Sequence, residues 1–322
     1  MYKIYDDWPN LAKEAYASDL EPANFENIDH IVFAGMGGSG AIGDLFASIL
    51  SKTNIHVTLV KGYLLPKTVD KNTLVVTTSV SGNTIETLTV LKSAQKLNCK
   101  IIAFCSGGKM EQYCIDNEIN FRIINSIHSP RVSFVTYVYS ILNILHSILP
   151  INENDILSSI DSLFEMHKQI SSSNLTDSNP AINLANWITG IPLIYYPHGL
   201  QSAAIRLKSS LQENSKIHAM TEDVIESCHN GIVAWENSSV VQPILLRGTD
   251  DYIKTKERFS IIEQFFTEKN IDFKIINSVE GNILTKIFSL IYLFDYVSIY
   301  RAISTHTDPS PVKSINYIKR KL

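Results

Sequence analysis

The glycine-rich segment at residues 35–40 is the first part of the chain whose composition suits it to bind an anion. It reads Gly-Met-Gly-Gly-Ser-Gly and follows the apolar run 31–34. Glycine lets the backbone approach a ligand closely, and free N–H groups at a helix N-terminus attract negative charge. If a helix begins here, Gly37, Gly38 and Ser39 are placed to contact a phosphate group.

A second segment, residues 78–87, offers hydroxyl groups in a similar setting. It reads TSVSGNTIET after another apolar run, and the hydroxyls of Ser79, Ser81 and Thr84 fall on one turn and the first helical residues. A phosphate monoester carries about 1.5 to 2 negative charges at pH 7 and several acceptor oxygens, so several short neutral donors suit it. Alone, such a turn could simply cap a helix. Because both segments follow strands, at the edge where open α/β sheets bind ligands, we predict that they hold a phosphate ester, the serines of the second segment without a lysine nearby.

The glycine spacing also matches the GxGxxG pattern of dinucleotide-binding folds. That function needs an acidic residue at the end of the second strand to bind a ribose. Residues 53–62, where this strand is predicted, contain no Asp or Glu. The sequence therefore disfavours a nicotinamide dinucleotide, and we expect no cofactor.

The metal-binding residue types are scattered along the chain. Its nine histidines and four cysteines show no HxxxH, HExxH or CxxC spacing, so we expect no metal. The thiols look like reduced cytosolic cysteines. Residues 1–7 have no apolar core typical of a signal peptide, and we expect a cytoplasmic protein.

The overall composition excludes several other classes of protein. Hydrophobic residues make up 45% of the 322 residues and charged residues 19%, which is typical of a globular protein. The net charge of -4 provides no basic surface for nucleic acid. Two long apolar stretches, 132–149 and 283–300, contain polar residues such as Lys286 and Asp295. We therefore predict buried helices in both, and no membrane contact.

Apolar runs alternate with helical patterns along the chain, which predicts an α/β fold with parallel sheets. The predicted strands are 31–34, 55–60, 73–77, 100–104, 121–124, 191–196, 240–246 and 273–276. The strand, loop and helix pattern of residues 31–46 recurs at 193–208. We predict two αβα sandwich (flavodoxin-like) subdomains, because a chain of this length exceeds one usual core. The first is residues 1–150 with an N-terminal helix, and the second is residues 151–322 with a helical linker and a C-terminal tail.

Taken together, the motifs resemble a known family. Residues 35–40 and 79–88 (SVSGNTIETL) resemble the sugar isomerase (SIS) domain, in which the second loop holds a sugar phosphate. Residues 211–216 (LQENSK), 228–230 (CHN) and 308–312 (DPSPV) are similar to the archaeal-type bifunctional phosphoglucose/phosphomannose isomerases. The resemblance runs from about residue 30 to the end of the chain, and the Glu-Asn-x-Lys and His-Asn pairs are its specific part.

The chain departs from the family pattern at two points. Val80 stands where the family commonly has Tyr, and we expect this change to affect packing more than chemistry. Residues 226–231 read Glu-Ser-Cys-His-Asn-Gly, where the family usually has Trp-Asn-His-Asn-Glu, so the resemblance does not fix the shape of that loop.

The resemblance implies a metal-free aldose–ketose isomerase that interconverts the 6-phosphates of glucose, mannose and fructose through an enediol. Such a reaction needs a carboxylate base beside C1 and C2, a cation for the developing oxyanion, and groups that open the sugar ring. The resemblance assigns the base to Glu213, the cation to Arg131, and ring opening to His229 and Lys319. In similar enzymes the histidine comes from the neighbouring subunit, which implies a homodimer with the active site near the interface.

Several alternatives stay open at this point. His198 and His218 are rivals of His229 for ring opening. A non-catalytic sugar-phosphate sensor would keep the two loops, but it would have no reason to keep Glu213, Arg131 and His229 together. An amino-sugar phosphate isomerase of the same fold would keep them all.

Overall fold

The computed structural model describes residues 1–321, which form an α/β protein. Its strands are β1 (His30–Ala34), β2 (His56–Val60), β3 (Thr73–Ser79), β4 (Lys100–Cys105), β5 (Phe121–Ile123), β6 (Ile191–Tyr196), β7 (Met220–Asp223), β8 (Val241–Arg247) and β9 (Lys274–Asn277). Its α-helices are α1 (Tyr2–Asp6), α2 (Trp8–Tyr16), α3 (Gly37–Leu50), α4 (Ile85–Gln95), α5 (Gly108–Asp116), α6 (Phe134–Ile144), α7 (Glu153–Ile170), α8 (Pro180–Trp187), α9 (Gln201–Ser210), α10 (Val224–Ser227), α11 (Ile253–Glu268), α12 (Ile283–Ser304) and α13 (Lys313–Lys319). Short 3-10 helices cover His198–Leu200 and Gly231–Glu236, and a π-helix covers Leu211–Ser215.

The chain divides into two compact units. The N-terminal unit is residues 7–161, and the C-terminal unit is residues 1–6 together with the chain from residue 162 onward. Each unit has its own parallel sheet, so the predicted fold class is confirmed.

The sheet of the N-terminal unit has the strand order β2-β1-β3-β4-β5, as in flavodoxin-like folds. β1 and β3 are buried along their whole length, because helices cover both faces of such a sheet. On one side of the core, α2 packs on α6, where the indole N–H of Trp8 donates to the carbonyl oxygen of Val132 at 3.0 Å. The strand order changes direction between β1 and β3, and open α/β sheets bind ligands at such a point.

The sheet of the C-terminal unit has the order β7-β6-β8-β9, which repeats the order of the first four strands of the N-terminal unit. The predicted repeat is confirmed, since β1 with α3 and β6 with α9 take corresponding places. The short strand β7 escaped prediction, because its sequence MTED has no apolar alternation. Its place is set by hydrogen bonding to β6.

The helix α12 forms the core of the C-terminal unit against α8 and α9. It is the one helix among residues 1–321 that is long and apolar enough to cross a membrane, and 89% of that stretch is buried inside the protein. Its buried Asp295 accepts hydrogen bonds from Arg206 Nε at 2.9 Å and from Ser210 Oγ at 2.6 Å. The prediction that this apolar segment is a buried helix is confirmed.

A histidine cluster lies at the start of the N-terminal sheet, on the edge opposite to the phosphate loops. The ring of the buried His30 bonds to the hydroxyl groups of Thr58, at 2.9 Å, and Thr73, at 3.3 Å, and lies 4.7 Å from the ring of His56. Burial lowers the pKa of His30 below its usual range, and His56 adds to this shift, while Asp70 and Asp29 oppose it. Folding therefore favours the neutral form of this imidazole.

We expect the stability of the N-terminal unit to fall as the pH drops below about 6.5, the ordinary pKa of histidine. His30 takes up a proton more readily in the unfolded chain than in the folded one, so acid favours unfolding through the range between the two pKa values. Thermal unfolding between pH 7.5 and 5.5 measures this, and His30→Gln should flatten the pH dependence. The exposed His146, replaced by glutamine, is the control, and an equal effect of the two substitutions would refute the assignment.

Candidate active site

The two predicted phosphate loops lie side by side at the carboxyl edge of the N-terminal sheet. The register pairs Ala34 of β1 with Thr77 of β3, so the loops that follow these strands are neighbours. The loops lead into α3 and α4, and in neither helix does the side chain of the N-cap residue bond to first-turn N–H groups. Two helix N-termini without side-chain caps at one edge form a favourable site for an anion.

The hydroxyl groups of the two loops are linked to one another. Ser79 Oγ donates to Thr84 Oγ1 at 3.0 Å, and Ser39 Oγ accepts from the N–H of Val80 at 3.3 Å. Thr84 is the N-cap residue of α4, yet its side chain makes no capping bond, so helix capping does not explain its hydroxyl. The structure thus gathers Ser39, Ser79 and Thr84, whereas Ser81 is exposed and accepts from the N–H of Asn83 at 3.3 Å.

Val80, the first departure from the family pattern, is buried between these hydroxyl residues. Its side chain is 2% exposed, and its carbonyl oxygen accepts a hydrogen bond from Ser106 Oγ at the end of β4. A buried apolar side chain at this point contributes packing and no polar group. This location agrees with the expectation that the change affects packing more than chemistry.

Two glycines of the first loop are required for different structural reasons, one for backbone conformation and one for close packing. Gly37 has a φ of +53°, which a residue with a side chain rarely adopts, and space beside it is open. Gly38 has no such backbone strain. A Cβ on it would lie 2.9 Å from the carbonyl carbon of Pro130 and 3.1 Å from the amide nitrogen of Arg131. Gly38 is therefore what lets the turn that carries Arg131 approach the first loop.

Arg131, the predicted cation, is 5% exposed and lies in the turn that precedes α6. The close approach to Gly38 brings its main chain to the same loop as Ser39. His128, three residues earlier, has a left-handed backbone with a φ of 76°. Partial desolvation lowers the pKa of His128, and the charge of Arg131 adds to that shift. Sequence reasoning did not single out His128, since nothing in its local pattern reveals either the backbone strain or the neighbouring guanidinium.

A lysine lies beside the first loop, whereas the expectation of a site without a lysine concerned the serines of the second loop. Lys61 follows β2, and its Cε is 3.4 Å from the position that a Cβ on Gly40 would occupy. Its ammonium binds both carboxylate oxygens of the buried Asp44, at 2.5 and 2.6 Å. The carboxylate of Asp44, in the preceding helix α3, therefore neutralises the charge of Lys61. The sequence pattern had not predicted the location of this lysine.

The second loop depends on the glycine at its tip. Gly82 has a φ of +64°, and a Cβ there would lie 1.6 Å from the carbonyl oxygen of Gly107, in the loop after β4. The N–H of Met110 donates to the carbonyl oxygen of Gly82 at 2.9 Å. The loop that carries Ser79, Ser81 and Thr84 is therefore supported by close backbone packing on its neighbour.

In the C-terminal unit, Glu213 lies in the π-helix Leu211–Ser215 that extends α9. Its neighbours bind the core helix α12: Asn214 Nδ2 donates to Ser298 Oγ at 2.9 Å, and Ser215 Oγ donates to the carbonyl oxygen of Ser298 at 2.7 Å. A π-helix turn is rare and is often found at functional sites. The consecutive residues Asn214 and Ser215 thus attach the turn to Ser298 of α12, while Glu213 is half-buried.

The buried ion pair of Arg206 and Asp295 supports the same turn from inside. Burial disfavours the charge of Arg206, but the adjacent Asp295 outweighs it and raises the pKa of the guanidinium. Ser210, the last residue of α9, also donates to Asp295. Since a buried pair is costly to break, α9 is held on α12 at the point where the π-helix begins.

Glu213 lines a cavity of about 610 Å³ between the end of α9 and the C-terminal segment. This is within the size range of ligand pockets. The residues that line it are Ser209, Gln212, Glu213, Lys216, Asp308, Pro311, Val312, Lys313, Ser314 and Ile315. A second cavity, of about 560 Å³, is lined by Lys313, Asn316, Lys319 and Arg320. Because Lys313 lines both, the structure brings Glu213 and Lys319 to adjoining cavities.

The three candidate histidines lie elsewhere on the C-terminal unit. His229 is exposed after α10, and its N–H donates to the carbonyl oxygen of Glu226 at 2.9 Å. His198 is exposed at the carboxyl end of β6, and His218 is exposed before β7. None of the described residues that line the Glu213 cavity is a histidine. Within residues 1–321, no group of three His, Cys, Asp or Glu side chains is arranged to hold a metal ion.

Comparison with known protein families places both halves of the chain. Residues 24–149 match the SIS domain, and residues 177–322 match the bacterial phospho-glucose isomerase C-terminal SIS domain. The chain is 32% identical to the bifunctional phosphoglucose/phosphomannose isomerase of Caldicellulosiruptor bescii, over 92% of this chain and 90% of that protein. It is 29% identical to the protein of the same name from Aquifex aeolicus, over 100% of this chain and 98% of that one.

Two further similarities bear on substrate and fold. The chain is 30% identical to a D-glucosamine-6-phosphate 4-epimerase of Sulfolobus acidocaldarius, over 72% of each protein. Among solved structures, the C-terminal domain of glucosamine-fructose-6-phosphate aminotransferase from Francisella tularensis superposes with a TM-score of 0.71 at 16% identity, covering 95% of this chain and 96% of that one. At that identity the structural likeness establishes the fold alone.

Proposed function

Because the chain belongs to the family of bifunctional phosphoglucose/phosphomannose isomerases, we propose that it interconverts glucose 6-phosphate and mannose 6-phosphate with fructose 6-phosphate. The observation that carries the proposal is the pair of helix N-termini without side-chain caps, with the linked hydroxyls of Ser39, Ser79 and Thr84 between them. A phosphate ester accepts hydrogen bonds from such hydroxyls and N–H groups and interacts favourably with both helix dipoles. Ser81, Gly37 and Gly38 complete the phosphate site.

Glu213 is the base that transfers a proton between C1 and C2. Its carboxylate removes the proton from the carbon beside the carbonyl group, which leaves an enediolate, and returns it to the adjacent carbon, while one hydroxyl proton passes from one substrate oxygen to the other through the enediol. Its location on a cavity large enough for a sugar supports this role. Arg131 stabilises the negative charge that develops on the substrate oxygen, as its burial beside the first phosphate loop favours.

The reaction through an enediol explains why one site would accept both epimers. C2 of glucose 6-phosphate and of mannose 6-phosphate becomes planar in the enediol, so the two substrates share one intermediate. An enzyme that accepts both substrates then needs only a site that does not discriminate between the two configurations at C2. The reaction moves a proton and two electrons within the substrate, and it needs no redox cofactor and no metal.

Ring opening requires a group that donates a proton to the ring oxygen and one that accepts the proton of the C1 hydroxyl. We assign these steps to His229 and Lys319. Lys319 lines a cavity that adjoins the one at Glu213. The exposed position of His229 supports a homodimer in which this histidine enters the active site of the neighbouring subunit. His198 and His218, equally exposed, remain the alternatives.

The proposal also includes the cellular compartment and the unit that carries each proposed site residue. All four cysteines are free thiols, which supports a reducing cytoplasm. The N-terminal unit, residues 7–161, carries the phosphate loops and Arg131. The C-terminal unit carries Glu213, His229 and Lys319.

A second candidate is an activity on amino-sugar phosphates, favoured by the similarity to the glucosamine-6-phosphate epimerase. The phosphate loops would serve it equally well, because they contact only the ester. The two candidates differ at C2, where an amino group replaces the hydroxyl group. A residue of the cavity that binds a cationic ammonium group in preference to a hydroxyl group would favour the amino sugar. The substrate assays described next test this directly.

We expect purified protein to convert both glucose 6-phosphate and mannose 6-phosphate to fructose 6-phosphate, with no loss of rate in EDTA. Coupled assays with these substrates and with glucosamine 6-phosphate measure this. Activity that EDTA removes and a metal restores would contradict the metal-free mechanism. Turnover of glucosamine 6-phosphate alone would favour the second candidate, and binding of phosphosugars without any turnover would identify a sensor.

A further inference from the structure

Lys216 ends the π-helix that carries Glu213, and its backbone is unusual for a residue with a side chain. Its φ of 59° and ψ of 30° are those of a left-handed conformation. Residues other than glycine, asparagine and aspartate adopt it rarely, and they persist there only where surrounding contacts hold them. The contacts of this lysine therefore need an explanation.

The ammonium group of Lys216 binds main-chain carbonyl oxygens from two parts of the chain. One is the carbonyl oxygen of Glu213 itself. The others are those of Pro311, at 2.8 Å, and Pro309, at 3.4 Å. A charged donor strengthens hydrogen bonds to carbonyl oxygens, and a cation is favourable at the C-terminal end of a helix. The lysine thus connects the Glu213 turn to the segment that leads into α13.

The C-terminal segment at residues 308–319 begins with a stretch that contains two prolines. Proline has no N–H group, so residues 309 and 311 cannot donate main-chain hydrogen bonds. The N–H of Ser310 is bound within the segment, by Asp308 Oδ1 at 2.9 Å. The helix α13 that follows has no buried residue. The bonds to Lys216 therefore attach the segment that leads into an exposed helix.

The other side of the Glu213 turn is already attached. Asn214 and Ser215 bind Ser298 of α12, in the core of the C-terminal unit. In the sequence Glu-Asn-Ser-Lys, the middle two residues therefore anchor the turn to the core, and the last one links it to residues 309–311. The spacing of the motif follows from these contacts: Glu213 lines the cavity, Asn214 and Ser215 bind α12, and Lys216 binds the C-terminal segment.

We infer that Lys216 is a positioning residue for catalysis, which sets the location of the segment carrying Lys319 relative to the Glu213 carboxylate. The inference rests on the proposed function, because it concerns the geometry between the base and a ring-opening group. Lys216 itself transfers no proton. Its contribution is to fix the position of Lys319 relative to the sugar ring. Displacement of a catalytic group by about 1 Å can lower the rate on the order of 10²-fold.

Lys216→Met tests the inference, because methionine retains an apolar stem and loses the ammonium group. We expect kcat to fall by roughly 10- to 100-fold, while KM changes less than about 3-fold because the phosphate loops are untouched. Lys216→Arg should restore most of the rate, since a guanidinium group can donate to several carbonyl oxygens. Lys216→Gly should match Lys216→Met, because glycine adopts the left-handed backbone without strain and also lacks the ammonium.

The control is Lys256→Met in the same unit. Lys256 also donates to a main-chain carbonyl oxygen, that of Thr249 at 2.9 Å, and lies outside the cavities at Glu213 and Lys319. It should leave kcat unchanged. Hydrogen exchange should be faster at residues 313–319 in Lys216→Met and unchanged in the control.

A double substitution separates positioning from general stability. If Lys216 acts through Lys319, then Lys216→Met should cost less than about 3-fold in a Lys319→Met background, because coupled residues are not additive. Fully multiplicative losses would overturn the inference, and so would a wild-type kcat in Lys216→Met when Glu213→Gln is inactive. Full activity of Glu213→Gln would instead overturn the proposed function itself.

Discussion

Replacement of Glu213 by glutamine is expected to lower kcat by roughly 10²- to 10⁴-fold, the contribution typical of a general base. The amide has nearly the same shape as the carboxylate but cannot accept the proton from C1 or C2. Because the proposal assigns binding of the ester to the loops of the N-terminal unit, KM and the binding of phosphosugars should change little. A coupled assay of isomerisation, together with titration of the substrate, measures both quantities.

The same variant should also fail to introduce solvent deuterium at C2 of the substrate. This readout follows the proton transfer itself and does not depend on product release. Glu268→Gln is the matched control, since Glu268 is an exposed residue at the end of α11 in the same unit. If Glu213→Gln exchanged deuterium and isomerised at the wild-type rate, another group would have to be the base.

Gly82→Ala is expected to disrupt the second phosphate loop. A left-handed φ costs about 1–2 kcal/mol for a residue with a side chain, and the added Cβ would overlap the carbonyl oxygen of Gly107. We therefore expect the free energy of unfolding to fall by roughly 3 kcal/mol, with displacement of the loop that carries Ser79 and Thr84. Phosphosugar affinity should fall with it, because these hydroxyls no longer converge.

The control for this substitution is Gly62→Ala in the same unit. Gly62 has no atom within 4 Å of the Cβ that would be added, and its φ is not left-handed. Thermal unfolding and titration with inorganic phosphate compare the two variants. Equal stability and equal phosphate affinity in both would show that the close packing of Gly82 on Gly107 does not support the loop.

The two predictions concern different demands on one enzyme. In the proposed mechanism, binding of the ester depends on backbone conformation, on helix N-termini and on neutral hydroxyl groups. Proton transfer depends on the carboxylate of Glu213, whose neighbours Asn214 and Ser215 bind the buried helix α12. A substitution that alters the first demand should change KM and stability, while one that alters the second should change kcat.

Local sequence patterns determined a large part of this protein. Apolar runs such as 31–34 and 73–77 predicted strands, and the glycines and hydroxyls after them predicted the loops, because strand formation and anion binding at helix N-termini depend on neighbours in sequence. The alternation of strands and helices predicted parallel sheets with crossovers of one hand, whereas the order β2-β1-β3-β4-β5 is known from the structure. Glu213 was predicted through its motif, although the motif gave no reason for its spacing.

Only the tertiary structure showed which distant segments the motifs contact. The link from Lys216 to Pro311 joins residues 95 positions apart, and the approach of Arg131 to Gly38 joins two segments that share no periodic pattern. The strand β7 exists because β6 offers it hydrogen bonds, and the hydroxyl of Thr84 is free of its capping role because Ser79 binds it. Periodicity encodes which face of an element is buried, whereas contacts between distant segments depend on how those elements pack, and no local pattern carries that information.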